Sequence, residues 1–219
     1  MSGPSFLYPH LQGSPATATA TATARDESDN DELAAAACKT WEVGDTLDIH
    51  TVAANATGIA AVATLIGAAV RGDAQVLVLG NGGSACDADR LVRLLDGCVR
   101  IRSLLDHAVL TALANDVGAP RIFERQVQTY ARPGDVVVAF STSGTSANVI
   151  AALSAAKRAG AATVGLAGYG GGALLAHADV DVCLHVDSSS VHRIQEAQGA
   201  LCDELVASVS AMNLEMIVR

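Results

Sequence analysis

The chain has 219 residues, of which 50% are hydrophobic and only 3% aromatic, and its formal net charge is −9. This length suits one domain with a tail, or at most two small domains, and the apolar fraction is enough for a large core. Nucleic-acid binding needs clustered Lys and Arg or an aromatic stacking surface, and an acidic chain with few aromatic residues provides neither. We therefore expect no nucleic-acid partner.

The cysteines and the hydropathy pattern bear on the compartment. Five cysteines are scattered without a C-x-x-C pair, and such an odd, unspaced set is typical of reduced core thiols in a cytosolic protein. The most apolar stretch, residues 53–70, is interrupted by polar residues and glycine, so we predict neither a membrane-spanning helix nor a signal segment. These patterns predict a cytoplasmic chain without a membrane partner.

The N-terminal 30 residues are rich in proline and contain the repeat ATATATATA at residues 16–24. Small side chains bury little area, so ordering this segment would cost more conformational entropy than its burial offsets. We therefore expect a disordered low-complexity tail over residues 1–30. A linker with a short helical pattern, DELAAAACK, is expected over residues 31–44.

From about residue 45 onward, apolar runs alternate with helical patterns. Strands are expected over residues 75–79, 99–102, 136–140, 162–166 and 180–186. Helices are expected over about 48–70, 84–95, 107–114, 120–131, 146–159, 173–176 and 190–218. Strands that alternate with helices predict an α/β fold, in which a parallel sheet is covered by helices on both faces in three layers, αβα.

The predicted strand at residues 136–140 runs into a hydroxyl-rich turn and then into a helical pattern, DVVVAFSTSGTSAN over residues 135–148. Ligands of open α/β sheets bind where strands end and helices begin. Hydroxyl groups, turn N–H groups and a helix N-terminus can together hold a phosphate. The pattern therefore predicts a phosphate-binding loop without a lysine. Ser146 has a second, structural interpretation as the N-cap of the following helix.

A second strand-to-helix turn, GNGGS over residues 80–84, is followed by Ala85, so that Gly80, Gly82 and Ala85 fit the dinucleotide fingerprint G-x-G-x-x-A. Asp106 lies roughly where a ribose-binding acid would be found. A dinucleotide needs only one such turn, which leaves the loop at residues 141–146 without a function. Two ligand loops separated by about two βα units instead favour a sugar at one loop and its phosphate at the other.

Four segments, in order, resemble the SIS (sugar isomerase) domain and, within it, the phosphoheptose isomerase branch: LGNGGSACDA (79–88), AND (114–116), FSTSGTSANVI (140–150) and HRIQEAQ (192–198). The resemblance implies a single SIS domain over residues 45–219, with long N-terminal and C-terminal helices. It implies aldose–ketose isomerisation of a sugar 7-phosphate such as sedoheptulose 7-phosphate. It also implies a homo-oligomer, either a tetramer or a dimer.

The resemblance assigns ligand-binding roles by position. The phosphate falls to four hydroxyl residues: Ser141, Thr142, Ser143 and Ser146. The sugar end falls to the first loop and to three further residues: Asn81, Gly82, Gly83, Ser84, Asn115, Asp116 and Gln195. The glycines also have a structural interpretation, because a tight turn with positive φ requires them whether or not a ligand binds.

The chain departs from the family at the catalytic centre. In the resembled isomerases two histidines, a glutamate and a glutamine surround a zinc ion. The corresponding positions here hold Arg90, Leu94 and Asp203, and only Gln195 remains. Leucine neither binds metal nor takes a proton, and arginine repels a cation. We therefore expect no metal and no other cofactor, and we expect Arg90 and Asp203 to form an ion pair.

Isomerisation also needs an acid and a base. His192 and Glu196 on the closing helix are the candidates, and Asp87, Asp89 and Glu204 are further acids nearby. Each has an alternative role as an ordinary surface or capping residue. Three functions stay open: an active isomerase with relocated acid–base groups, a non-catalytic phosphosugar sensor or assembly module, and a Rossmann-type dinucleotide enzyme.

Overall fold

Five parallel strands form the centre of the fold, in the order β2-β1-β3-β4-β5. The computed structural model describes residues 47–217, so the tail predicted over residues 1–30 and the linker predicted over 31–44 lie outside the described residues. The strands are β1 (Gln75–Gly80), β2 (Arg100–Ser103), β3 (Val136–Ser141), β4 (Ala162–Ala167) and β5 (Val182–His185). The predicted parallel sheet is confirmed.

Helices connect the strands and follow the predicted positions closely. They are α1 (Leu47–Ala54), α2 (Ala56–Arg71), α3 (Gly83–Leu95), α4 (His107–Val117), α5 (Ile122–Tyr130), α6 (Ala147–Arg158), α7 (Gly172–Leu175) and α8 (Val191–Ile217). Short 3₁₀ turns at Ala119–Arg121 and Tyr169–Gly171 precede α5 and α7.

Alternation along the strands divides the core into two layers. On β1, Val76 and Val78 pack with α2, α3 and α8, whereas Leu77 and Leu79 pack with α5 and α6. All four side chains are fully buried. Because successive side chains of a strand point to opposite faces, an apolar run without polar alternation requires helices on both sides. The three-layer αβα arrangement is therefore confirmed.

The first two helices are where the structure differs most from the predicted elements. One helix is expected over about 48–70, but α1 and α2 meet at Asn55 with a bend of 64°. The Asn55 amide donates to the carbonyl oxygens of Thr51 (2.8 Å) and His185 (2.9 Å) and accepts from the His185 N–H (2.9 Å). These bonds hold the bend against the end of β5. Within residues 47–217 no single helix has the length and hydropathy of a membrane span, although this bent pair has them together.

The strand order determines where a ligand crevice lies. In a sheet ordered 2-1-3-4-5, successive connections leave on opposite sides of β1 and β3, and ligands bind at the carboxyl ends of these two strands. Dinucleotide-binding Rossmann sheets have the order 3-2-1-4-5-6 instead. Asp106, suggested above as a ribose ligand, here caps α4 by accepting from the Val109 N–H at 2.9 Å. Both findings weigh against the dinucleotide alternative.

Gly144 is predicted to be a position where alanine is not tolerated. Its φ is +63°, and an added Cβ would lie 2.4 Å from the carbonyl oxygen of Gly171. Gly97 is a matched control, because its φ is +78° but nothing lies within 4 Å of an added Cβ. Gly97→Ala is expected to lower the free energy of unfolding by about 1 kcal/mol and Gly144→Ala by about 3 kcal/mol or more. Urea denaturation measures both, and equal losses would contradict the close contact.

Candidate functional site

The hydroxyl groups of the predicted phosphate loop converge at the end of β3. Ser141 is buried at the last position of the strand, and its Oγ lies 3.1 Å from Ser146 Oγ and 3.4 Å from Ser143 Oγ. The N–H of Thr145 donates to Ser143 Oγ at 3.2 Å. Thr142 is half-buried in the same turn. Three of the four predicted hydroxyls therefore form one cluster beside the N-terminus of α6, where an anion is favoured.

Ser146 occupies the N-cap position of α6, yet its side chain makes no capping hydrogen bond. Its carbonyl oxygen begins the helix by accepting from the N–H groups of Val149 (3.1 Å) and Ile150 (3.0 Å). A capping serine normally accepts an N–H bond through its side-chain oxygen. Here that hydroxyl joins Ser141 instead, so it belongs to the cluster and not to the cap.

The glycine-rich loop at residues 168–172 packs against the predicted phosphate loop at residues 141–146. From the sequence, residues 168–172 were expected only to end a strand. The N–H of Gly168 donates to the Thr142 carbonyl oxygen at 3.1 Å, and the N–H of Leu174 donates to the Gly144 carbonyl oxygen at 3.0 Å. An added Cβ on Gly172 would lie 2.5 Å from the Ser143 carbonyl oxygen. The two backbones are in direct contact, and the run GYGGG at residues 168–172 was the available signal.

The first loop receives a side chain from the closing helix. Gly82 has a φ of +53° and is the N-cap of α3, and Ser84 is buried in the first turn. Gln195 of α8 lies so close to Gly83 that an added Cβ would be 1.9 Å from its Nε2. The sequence placed these residues in one site by resemblance alone, and the structure brings them together.

The two loops are joined directly by a pair of amides. Asn81 Nδ2 donates to Asn148 Oδ1 at 2.8 Å, and Asn148 Nδ2 donates to Asn81 Oδ1 at 2.9 Å. Asn148 was not among the predicted site residues, although it lies within the motif FSTSGTSANVI. Asn115 and Asp116 are different, because they are exposed in the last turn of α4 and the hydrogen bond described for them (3.1 Å) is to each other.

Arg90 and Asp203 form the ion pair expected from the sequence. Arg90 Nη2 lies 2.7 Å from both carboxylate oxygens of Asp203 and so joins α3 to α8. The hydrogen bond with Asp203 raises the pKa of Arg90. The two side chains are 45% and 54% exposed, so the pair contributes at most about 1 kcal/mol to stability. Its importance is chemical, because a paired guanidinium and the apolar Leu94 do not fit a zinc ion.

Asp87 lies on α3 next to this ion pair and is the most perturbed carboxyl group of the site. Its Oδ2 is buried and has no hydrogen-bond partner among the described residues. Burial raises the pKa of Asp87 from 3.8 to about 6, and the nearby Arg90 only partly opposes this shift. The Cys202 thiol lies nearby on α8, and burial raises its pKa to about 12. Asp87 is therefore a carboxyl group that titrates close to neutral pH.

The other candidate acid–base residues lie in more ordinary surroundings. His192 and Glu196 are exposed in the first turns of α8, and Glu196 Oε2 accepts from Arg193 Nη1 at 2.9 Å. Asp89 Oδ1 accepts from Ser103 Oγ at 3.1 Å and so ties α3 to β2. Glu204 is exposed on α8. His192 and Glu196 are four residues apart, which places them on the same face of α8.

The arrangement defines a class of protein: a parallel α/β sheet whose two polar loops meet at the β1–β3 crevice. Residues 43–168 match the SIS domain family. The chain is 42% identical over 165 residues to the phosphoheptose isomerase of Roseiflexus sp. (strain RS-1), covering 71% of this chain and 83% of the relative.

Two solved structures agree with this match. The phosphoheptose isomerase of Neisseria gonorrhoeae superposes with a TM-score of 0.77 at 32% identity, over 81% of this chain and 99% of that chain. That of Francisella tularensis gives a TM-score of 0.73 at 28% identity, over 79% and 95% of the two chains. The chain therefore belongs to the SIS domain family and, within it, to the phosphoheptose isomerase branch.

We predict that the purified wild-type protein holds far less than one zinc ion per chain. The triple variant Arg90→His, Leu94→Glu, Asp203→His supplies the ligand types that the family resemblance implies and keeps Gln195, so it is expected to hold about one ion per chain. Elemental analysis after dialysis measures both proteins. Stoichiometric zinc in the wild type that disappears in Gln195→Ala would contradict the prediction.

The raised pKa of Asp87 predicts an unusual dependence of the free energy of unfolding on pH. Its pKa of about 6 in the folded chain lies above the ordinary 3.8, so the folded state binds this proton more tightly than the unfolded state. The stability it contributes is complete below about pH 4 and is lost as the pH rises through about 6. Asp87→Asn is expected to gain at least about 1 kcal/mol relative to wild type between pH 4 and pH 7.

Chemical denaturation across this pH range, with Asp89→Asn as a control on the same helix, measures the gain of Asp87→Asn. A stability difference between Asp87→Asn and wild type that does not change with pH would show that burial does not perturb Asp87.

Proposed function

We propose that this protein binds a phosphorylated sugar in the crevice between β1 and β3. The phosphate would lie on the loop of residues 141–146, and the sugar would extend toward residues 80–84 and Gln195. The observation that carries the proposal is the hydroxyl cluster of Ser141, Ser143 and Ser146, whose members are not needed to cap α6. Membership of the phosphoheptose isomerase branch supports the same ligand class.

The proposed reaction is the aldose–ketose isomerisation of a sugar 7-phosphate such as sedoheptulose 7-phosphate. A base removes a proton from the carbon next to the carbonyl group and the proton returns to the former carbonyl carbon, while a second proton moves between the two oxygens. The protein must supply an acid and a base that exchange roles. The relatives named above are phosphoheptose isomerases, which favours this reaction class.

His192 and Glu196 are the acid–base candidates that the sequence proposed, because they flank Gln195 at the start of α8. Asp87 is a third candidate that the structure favours. A pKa of about 6 leaves both its protonated and its ionised forms populated near neutral pH, which suits a group that must both take and give a proton. We propose that the three residues be tested together.

The second candidate function is a non-catalytic phosphosugar sensor or assembly module. It is favoured by the Arg90–Asp203 pair, which occupies positions where the resembled isomerases hold a metal. Such a protein would keep the two ligand loops but would move no proton. Both functions share the ligand, and they differ only in whether the carbon-bound proton exchanges.

We also propose that the protein is a cytoplasmic homo-oligomer, either a dimer or a tetramer. A groove of about 580 Å³ lies between α1 and α8 and is lined by Ile49, Val52, Ala53 and Ala200 together with three acidic residues. Ile49 is 69% exposed, and an apolar patch that is bordered by polar residues is typical of a protein–protein interface. Sedimentation equilibrium would test the oligomer.

Titration with sedoheptulose 7-phosphate, followed by NMR in D₂O, tests the proposed function. We expect saturable binding that inorganic phosphate competes with. Ser146→Ala is expected to weaken the affinity for sedoheptulose 7-phosphate about tenfold, because a hydroxyl that contacts a charged group contributes about 1.5 kcal/mol. Thr129→Ala, which removes an exposed hydroxyl on α5, is the control. If the wild type does not bind the sugar phosphate, the proposal is wrong.

The same spectra separate the two candidate functions. Formation of the aldose, or deuterium incorporation next to the carbonyl group, identifies an isomerase, and its loss in Asp87→Asn, His192→Ala or Glu196→Gln identifies the residues that move the proton. Binding without deuterium incorporation identifies the sensor.

A further inference from the structure

The amide pair between Asn81 and Asn148 joins the sugar loop to the phosphate loop. Asn81 directly follows β1, and Asn148 lies in the first turn of α6, which follows β3. Their side chains exchange two hydrogen bonds, of 2.8 Å and 2.9 Å. Because β1 and β3 are neighbours whose carboxyl ends border the crevice, this pair bridges the place where the ligand is proposed to bind.

The pair contributes little to stability, because both amides lie where water could replace each bond. Its geometric effect is larger. A reciprocal pair uses one N–H and one oxygen lone pair of each amide, and this fixes the rotation of both side chains. Each amide retains a second N–H and a second lone pair. A sugar hydroxyl, which both donates and accepts, matches that combination.

We propose that Asn148 is a positioning residue for the sugar. It holds the Asn81 amide in the rotation in which its remaining N–H and lone pair meet a hydroxyl of the ligand. The phosphate is held by Ser141, Ser143 and Ser146 and does not depend on this pair. Asn148 therefore determines how well the sugar is distinguished from phosphate alone, acting through Asn81. This inference rests on the proposed function.

The test compares four proteins and two ligands. The proteins are wild type, Asn81→Ala, Asn148→Ala and the double variant, and the ligands are sedoheptulose 7-phosphate and inorganic phosphate, titrated by calorimetry. Asn148→Ala is expected to weaken the affinity for sedoheptulose 7-phosphate about fivefold to tenfold, which is the effect of losing one hydrogen bond. The affinity for inorganic phosphate should change less than about twofold. The double variant should bind sedoheptulose 7-phosphate with the same affinity as Asn81→Ala.

Gln128→Ala is the matched control, because Gln128 is an exposed amide that pairs with Glu124 within α5 at 3.2 Å. It should change neither affinity. The thermal midpoint of each variant shows whether the loops still fold, and a variant that melts early and loses both ligands equally would indicate a merely structural pair.

Three outcomes would overturn the inference. They are additive effects of the two substitutions, an equal loss of both ligands, and an unchanged affinity in Asn148→Ala. A wild type that does not bind the sugar phosphate overturns the proposed function and this inference with it. A wild type that binds, beside an Asn148→Ala variant that binds equally well, overturns only the role of Asn148.

Discussion

The parallel pairing of β1 with β3 is the contact on which the site depends. Its register places Gly80 beside Phe140 at the carboxyl end of both strands, so the two loops begin side by side. Chain connections leave β1 and β3 on opposite sides, which is the place where open α/β sheets form their ligand crevice. The Asn81–Asn148 pair can form only because this register holds. A shift of β3 by one residue relative to β1 would move each of its side chains to the opposite face of the sheet.

The contact between α3 and α8 determines the chemistry available at one side of the crevice. Leu91, Leu201 and Leu205 are fully buried there and supply the packing. The charged residues above them have a different effect. Arg90 and Asp203 neutralise each other in partial contact with water, whereas Asp87 beside them is half-buried, and its buried Oδ2 has no hydrogen-bond partner within residues 47–217. Burial raises the pKa of Asp87 to about 6, so a perturbed carboxyl group lies next to the positions where the resemblance implied metal ligands.

Interpretation of single side chains depended on contacts that spacing does not show. Ser146 fits the N-cap pattern, yet its hydroxyl joins Ser141 because the end of β3 brings that hydroxyl within reach. Asp106 fits a ribose ligand by position, yet it caps α4. The pattern over residues 48–70 is continuous enough for one helix, yet Asn55 bends it by bonding to the backbone of β5, 130 residues away in the chain. At each of these residues a local pattern allowed two roles, and the partner that lies within hydrogen-bond distance in the folded chain determined which role was taken.

The sequence alone determined the fold class, the order of the elements and the position of the two polar loops that follow β1 and β3. Apolar runs without alternation require burial on two faces, and hydroxyl or glycine turns after such runs mark the carboxyl edge of a sheet. Both signals lie within a few neighbouring residues. It also anticipated the Arg90–Asp203 pair, through the resemblance of its motifs. Only the tertiary structure determined the convergence of the hydroxyls, the pairing of Asn148 with Asn81, the contact of the loop at residues 168–172 with the loop at residues 141–146, and the partial burial of Asp87. These features depend on strand register and helix packing, which bring residues together that are far apart in the chain.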